Sequence, residues 1–185
     1  IAKTASPLQK RKEMGYWRGS LTGIPKENNL QALLDLPRVR FCQVAQQFPS
    51  ILDAKITSVK QWRKYPSIKE ILIKEGLWGD REPIEENFKY KYLIDIDGNT
   101  NSWPGLFQKL ASGGVVIKLK SKFSQWYYER LIHYRNVIFA DTVEEIPKII
   151  EELKSYPNHC QEIGLAGQQL TQNMTPSSEY QLVLR

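Results

Sequence analysis

A polar turn in the middle of the chain has the composition of a phosphate-binding loop. It consists of Asp97, Gly98, Asn99, Thr100, Asn101 and Ser102, and a predicted helix begins at Trp103. The free N–H groups and the dipole at a helix N-terminus favour an anion, and Gly98 lets a ligand approach the backbone closely. The alternative interpretation is a plain tight turn in which Ser102 caps the helix.

A second polar loop follows a short apolar run at residues 14–17. Its candidate ligand-binding residues are Arg18, Gly19, Ser20 and Thr22. A guanidinium group at the end of a strand could hold a diphosphate through paired hydrogen bonds. A solvated surface arginine is the alternative, and Lys118 has the same two interpretations at the end of another predicted strand.

Aromatic residues near these loops could stack on a base or a sugar, although each could equally pack in the core. They are Trp103, Trp126, Tyr127 and Tyr128. Asp95 lies inside an apolar run and needs partners if it is buried. The carboxylates of residues 80–86 have the spacing of a solvated stretch, and the sequence contains no P-loop, GxGxxG, HExxH or Ser-His-Asp arrangement. We therefore assign no catalytic residue.

The elements that must position these loops alternate between strands and helices. A strand at residues 92–97, a helix at 103–111 and a strand at 115–119 predict a βαβ unit with parallel pairing. Further strands are predicted at 14–17, 39–45 and 136–140, and further helices at 28–36 (capped by Asn28 or Asn29), 67–75, 124–131, 142–155, 158–173 and 177–184. This pattern predicts an α/β domain with a mainly parallel sheet and helices on both faces.

Length and composition predict one ordinary globular domain. We expect an arm at residues 1–13, the α/β domain at 14–175 and a tail at 176–185 of the 185 residues. No apolar run approaches the ~20 residues that span a bilayer. Cys42 and Cys160 stand far apart and are expected to be free thiols in a reducing, cytoplasmic compartment, and the two isolated histidines predict no metal site.

The net charge of +6 is uneven along the chain. Residues 1–75 hold 14 Lys and Arg against 6 Asp and Glu, whereas residues 76–185 hold 12 against 14. The basic half could attract nucleic acid, an anionic membrane surface or a phosphorylated ligand. A basic nucleic-acid-binding domain is therefore a rival hypothesis, but no RNP-like or helix-turn-helix pattern accompanies the charges, and we expect no nucleic-acid partner.

Two segments together resemble the CAP10-like glycosyltransferases, family 90. Residues 16–23 are similar to the aromatic-aromatic-Arg-Gly-Ser segment of that family, and residues 91–99 with Ser102, Trp103 and 110–113 are similar to its Lys-Tyr-Leu, Gly, Ser-aromatic, Leu-x-x-Gly pattern. The resemblance covers roughly residues 7–175. The variant at residues 97–105 looks most like bacterial members that modify lipopolysaccharide.

The resemblance implies a GT-B enzyme built of two Rossmann-like domains, of which this chain is the C-terminal, donor-binding one. It implies an inverting, metal-independent transfer without a cofactor, from a nucleotide sugar, usually a UDP-sugar, to a hydroxyl of a glycan or lipopolysaccharide acceptor. Arg18 matches the family arginine that contacts the diphosphate, and residues 98–103 match the loop that approaches the phosphates.

Two features of the chain limit what the resemblance implies. Pro104 and Gly105 stand where relatives that modify proteins have an arginine after the Ser-aromatic pair. The N-terminal domain, which holds the acceptor site and the catalytic Asp in the family, is expected to be missing from this chain. A sugar-nucleotide sensor without catalysis is a further alternative, and contact with a membrane is a further expectation from the basic half.

Overall fold

Five parallel strands form one sheet in the computed structural model, which describes residues 5–27, 29–62, 64–101 and 104–174. The strands are β1 (Lys12–Ser20), β2 (Leu52–Ser58), β3 (Tyr90–Asp95), β4 (Val115–Leu119) and β5 (Ile138–Ala140). Their order across the sheet is β2-β1-β3-β4-β5, and every neighbouring pair is parallel. The α/β fold class and the βαβ unit are confirmed.

Six α-helices lie within the described residues, and the last two of them follow the final strand. They are α1 (Leu30–Leu34), α2 (Pro37–Gln47), α3 (Ser67–Lys74), α4 (Gly105–Ala111), α5 (Ile146–Lys154) and α6 (Pro157–Asn173). The Asn29 side chain caps α1 by accepting a hydrogen bond from the amide of Ala32. The helix predicted at residues 177–184 and the start of the one at 28–36 lie outside the described residues.

Alternate side chains along the strands pack into two hydrophobic cores, one on each face of the sheet. In β3, Tyr92 and Ile94 belong to the core that includes side chains of α2 and α5. Leu93 belongs to the core that includes Leu106 and Leu110 of α4. Because both faces are covered by helices, every residue of β3 is buried, including the charged Lys91 and Asp95.

The strand predicted at residues 39–45 is wrong, because this segment lies inside α2. Pro37 occupies the first turn, where its missing N–H costs nothing. Val39, Cys42 and Ala45 are buried at a spacing of three residues, which places them on one face of a helix rather than of a strand. The adjacent strand β2 was missed by the sequence analysis, although its buried Leu52, Ala54 and Ile56 alternate.

The helix predicted at residues 124–131 is also wrong. Only a short 3₁₀ turn, Tyr128–Arg130, forms there. Tyr127 is buried, but the Trp126 side chain is 62% exposed, so the aromatic run does not provide one continuous apolar face.

Near the N-terminus, Leu8 and Arg11 of the expected arm are buried against the domain.

The strand order places a crevice at the carboxyl ends of β1 and β3. The chain continues from β1 outward to β2, then crosses to the other side of β1 to form β3. Loops that leave neighbouring strands in opposite directions open a gap between them, and ligands of open α/β sheets bind in this gap. The two polar loops of the sequence analysis both begin here.

Candidate functional site

A cleft of about 180 Å³ lies at the carboxyl ends of β1 and β3. Its walls come from β1, the loop after β3, the start of α4 and the first turn of α2. The residues that line it include Arg18, Gly19, Arg38, Asp97, Asn101 and Tyr128. The fold therefore brings the Arg18 loop and the Gly98 loop together, as the sequence predicts.

Arg38 ties the two strand ends together, although the sequence analysis did not select it. Its guanidinium donates to the backbone carbonyl oxygens of Ser20 at 2.9 Å, Ile96 at 2.8 Å and Asp97 at 3.2 Å. None of the carboxylates that the structure describes forms an ion pair with it. Burial lowers the pKa of Arg38, and the negative charges of Asp95 and Asp97 oppose that shift. The guanidinium nevertheless remains charged, as arginine does in proteins.

Arg18 lies in the cleft wall, but its charge is already paired. Its two terminal nitrogens donate to the Asp53 carboxylate at 2.8 and 3.0 Å, and its Nε donates to Glu82 at 3.3 Å. Tyr16 packs its ring against the guanidinium at 4.7 Å and donates its hydroxyl to Glu82. Arg18 would therefore have to exchange carboxylate partners for phosphate in order to play the predicted role.

Lys118 is buried in an ion-pair network at the base of the cleft. Its Nζ donates to Asp95 at 3.1 Å and to Asp97 at 2.8 Å. Asp95 also accepts from Lys109 at 2.7 Å, which supplies the partners that a buried carboxylate in an apolar strand requires. The ammonium of Lys118 is thus neutralised, and its predicted contact with phosphate stays a prediction.

The pKa values in this network follow from its geometry. Burial alone would raise the pKa of Asp95, but the ammonium groups of Lys109 and Lys118 outweigh it and hold this pKa well below its usual range. Burial alone would lower the pKa of Lys118, whereas Asp95 and Asp97 raise it above its ordinary value. Asp95 and Lys118 are therefore charged at neutral pH, and their ion pair is a fixed structural element beneath the cleft.

Close packing joins the loop after β3 to the loop after β1. A Cβ at Gly98 would overlap the Thr22 hydroxyl and would come within 3.1 Å of Arg38. The Asn99 carboxamide oxygen accepts a hydrogen bond from the amide of Gly23 at 2.9 Å. Gly98, Thr22 and Asn99 therefore fix the shape of the cleft rim. Their predicted contacts with a ligand stay predictions.

Asn101 connects the rim to the aromatic segment. Its amide nitrogen donates to the Tyr128 hydroxyl at 3.0 Å and its oxygen accepts from Gln125 at 2.7 Å. Tyr128 lines the cleft, Tyr127 is buried in the core beside α4, and Trp126 faces solvent. Ser102 and Trp103 lie outside the described residues, so their predicted roles stay predictions.

Neither a metal cluster nor a membrane span is found in residues 5–27, 29–62, 64–101 and 104–174. No three His, Cys, Asp or Glu side chains in these ranges gather into a group that could hold a metal ion. None of the helices combines the length and apolar character that spanning a bilayer requires. Cys42 and Cys160 are free and buried, as expected from their spacing.

The solved structures to which this chain is similar include glycosyltransferases of the GT-B class. A glycosyltransferase from Rickettsia africae matches 92% of this chain with a TM-score of 0.61 and 11% identity. HepE from Anabaena, solved with UDP and glucose, matches 95% of this chain with a TM-score of 0.57 and 12% identity. The chain spans 46% and 48% of those two proteins. It spans 91% of the isolated C-terminal domain of LpcC from Francisella tularensis, with a TM-score of 0.53 at 12% identity over 94% of this chain.

These likenesses show the fold alone, because the identities are low. The family is shown by the sequence: the model of glycosyl transferase family 90 matches residues 1–181. The chain therefore belongs to glycosyl transferase family 90, the CAP10-like family. A search of curated protein sequences finds no significant match.

Proposed function

We propose that this chain is the nucleotide-sugar-binding part of a glycosyltransferase and that the donor diphosphate lies in the cleft between β1 and β3. The single observation that carries the proposal is Arg38. A guanidinium group faces the cleft at a topological switch point, its hydrogen bonds go to neutral carbonyl groups, and no carboxylate of the described residues forms an ion pair with it. Such a charge is suited to an anionic ligand.

The chemistry that this arrangement supports is stabilisation of a leaving group. When the acceptor oxygen bonds to the anomeric carbon, the bond from that carbon to the diphosphate breaks and negative charge accumulates on the phosphate oxygen. Arg38 lies fixed beside the cleft before the reaction, so it can stabilise this charge without reorganisation. Arg18 would contribute if phosphate replaced its carboxylate partners. The base that deprotonates the acceptor is not assigned to any residue of this chain.

The donor and acceptor are proposed from the relatives. UDP is favoured because HepE was solved with UDP and glucose, and an acceptor in lipopolysaccharide is favoured because the loop at residues 97–105 resembles bacterial members with that role. An inverting, metal-independent reaction that needs no cofactor is the family expectation, and so is a cytoplasmic location, with contact to a membrane surface through the basic half.

A second domain would complete the enzyme. Because the chain spans about half of the Rickettsia and Anabaena proteins and nearly all of the isolated LpcC domain, we assign it to the C-terminal half of a GT-B enzyme. The N-terminal half would supply the acceptor site and the base. On this account the isolated chain binds donor without transferring sugar.

Calorimetric titration with UDP, ADP, GDP and CMP tests the proposal. Wild-type chain should bind UDP in preference to the other nucleotides, and Arg38→Met should weaken that binding by at least about 10-fold, because one charged hydrogen-bonding partner is removed. Arg40→Met is the matched control: Arg40 lies on the same helix, is exposed and pairs with Glu144 at 2.6 Å, so its loss should leave UDP affinity unchanged.

Two results would count against the proposal. Equal UDP affinity for wild type and a folded Arg38→Met variant would remove Arg38 from the site. Absence of transfer by the verified full-length protein, over a panel of nucleotide sugars and lipopolysaccharide acceptors, would reject the glycosyltransferase assignment for the whole enzyme.

A further inference from the structure

A buried arginine lies at the amino ends of the strands, and the structure shows no ion-pair partner for it among the described residues. Arg11 immediately precedes β1, and only 8% of its surface is exposed. Its Nε donates to the carbonyl oxygen of Ser6 at 2.8 Å and its Nη2 to that of Ser112 at 2.6 Å. Its Nη1 is buried and has no hydrogen-bond partner among the described residues.

This arrangement is energetically unusual. Buried charges in proteins are normally paired, and a buried donor without an acceptor forfeits the hydrogen bonds that it makes with water. Both contacts of Arg11 are neutral carbonyl groups, and none of the carboxylates in the described ranges forms an ion pair with it. Burial accordingly lowers the pKa of Arg11 with no offsetting contribution from a carboxylate.

A cavity of about 280 Å³ lies beside this guanidinium. Arg11, Ser112 and Gly113 line it, together with Gln161 and Gln168 from α6. The residues at its mouth, among them Ser6, Pro7 and Leu165, are exposed, so the cavity opens to solvent. Its polar lining offers amide and hydroxyl groups that can donate to an anion, and none of the described residues that line it carries a carboxylate.

We infer that this cavity is a binding site for a small oxyanion, a phosphate or a carboxylate, whose charge is balanced by Arg11. The anion accepts from Nη1, the donor that the protein leaves unpaired, and the glutamine side chains of α6 provide neutral donors around it. Because Nη1 is shielded from water, the anion displaces part of the cavity wall as it enters. The exposed Gln9, which is hydrogen-bonded to Gln161, is the side chain that can move with least cost.

The site is separate from the donor cleft. Arg11 precedes β1, and the turn at residues 112–114 precedes β4. In a parallel sheet both positions lie at the amino ends of the strands, whereas the cleft lies at the carboxyl ends. The inference therefore does not depend on the proposed function, and occupancy here would stabilise the junction between β1, β4 and α6.

Thermal unfolding with inorganic phosphate and with acetate, at constant ionic strength set by NaCl, tests the inference. Saturating UDP is present in a parallel series so that phosphate binding in the donor cleft is blocked. Wild-type chain should show a saturable rise in Tm with at least one anion, of about 5 °C or more at 100 times Kd, and UDP should not abolish it. Arg11→Met should lose the response, and Lys10→Met, which removes an exposed neighbouring charge, should keep it.

A second variant keeps the test decisive if Arg11→Met does not fold. Gln168→Glu places a carboxylate in the cavity wall, and it should abolish the anion response because the counter-charge is then built in. The inference is overturned if wild-type chain responds to neither anion, if Arg11→Met responds as wild type does, or if Gln168→Glu keeps the full response. Loss of the response on adding UDP would assign the anion to the donor cleft and would equally overturn it.

Discussion

Removing the charge of Asp95 should destabilise the protein by about 3 kcal/mol. The Asp95 carboxylate lies 2.7 Å from Lys109 Nζ and 3.1 Å from Lys118 Nζ, and its side chain is 10% exposed. Breaking a buried pair by removing one partner costs about 3–5 kcal/mol, because the other charge stays buried. Asp97 still pairs with Lys118 at 2.8 Å in the Asp95→Asn variant, so we expect the lower end of that range.

Urea unfolding at pH 7 measures this loss, and the pH dependence identifies its cause. The folded pKa of Asp95 is depressed, so the carboxylate stabilises the fold above the unfolded pKa of about 3.9 and loses this effect as pH falls toward the folded value. The difference between wild type and Asp95→Asn should be constant above about pH 5 and should shrink below about pH 4.

Asp141→Asn is the matched control for this prediction. Asp141 pairs with Lys120 at 2.7 Å, but its side chain is 67% exposed, so its loss should cost less than about 1 kcal/mol. The reasoning would be refuted if Asp95→Asn were as stable as wild type, or if its deficit persisted unchanged down to pH 2.

Three further predictions concern close packing and thiol burial. Gly98→Ala should cost about 1–3 kcal/mol in urea unfolding because its Cβ would meet the Thr22 hydroxyl, and adding Thr22→Ala should restore part of the loss; no rescue would contradict the contact. Gly164→Ala would overlap a backbone carbonyl of the turn before β4 and should lower Tm clearly. A Cβ at Gly105 would meet none of the described residues within 4 Å, so Gly105→Ala should change stability by less than about 1 kcal/mol, and equal effects of the two substitutions would refute this packing. Burial raises the pKa of the Cys42 thiol to about 12, so disulfide exchange with an aromatic reagent at pH 8 should be far slower in the native than in the unfolded chain, and rapid native labelling would show that the thiol is accessible.

The βαβ unit could be predicted from the sequence because its signals are local. The apolar run of β3, the polar turn and the stripe of α4 each occupy a few consecutive residues, and parallel pairing follows from the helical connection. The need of Asp95 for partners also follows from its position in an apolar strand. The identity of those partners, Lys109 and Lys118, requires the register of β3 with β4 and the position of α4.

Arg38 could not be selected while residues 39–45 were interpreted as a strand. Once Pro37 is assigned to a helix N-terminus, Arg38 falls in the first turn of α2, near the carboxyl edge of the sheet. Its carbonyl partners come from β1 and from the end of β3, far apart in sequence. The signal in the sequence is Pro37 followed by an apolar residue at every third position, at Val39, Cys42 and Ala45.

The charge state of Arg18 illustrates a different limit. The family pattern predicts an arginine at this position but not its two carboxylate partners. Asp53 lies on β2, which the sequence analysis missed, and Glu82 lies in a segment that was interpreted as a solvated stretch. Type and spacing could place Arg18 in the cleft wall. Only the three-dimensional structure shows that Arg18 forms ion pairs with two carboxylates.

Mapping UDP onto the chain by amide chemical-shift changes tests the central claim most directly. The account predicts that shifts caused by UDP cluster at the carboxyl edge of the sheet, at Gly19, Gly98 and Asn101, and that they fade in Arg38→Met. The amides of Gly113 and Gly114 at the amino edge should not move. Shifts confined to the amino edge, or a carboxyl edge that stays unchanged when UDP is shown by calorimetry to bind, would contradict the assignment of this cleft as the donor site.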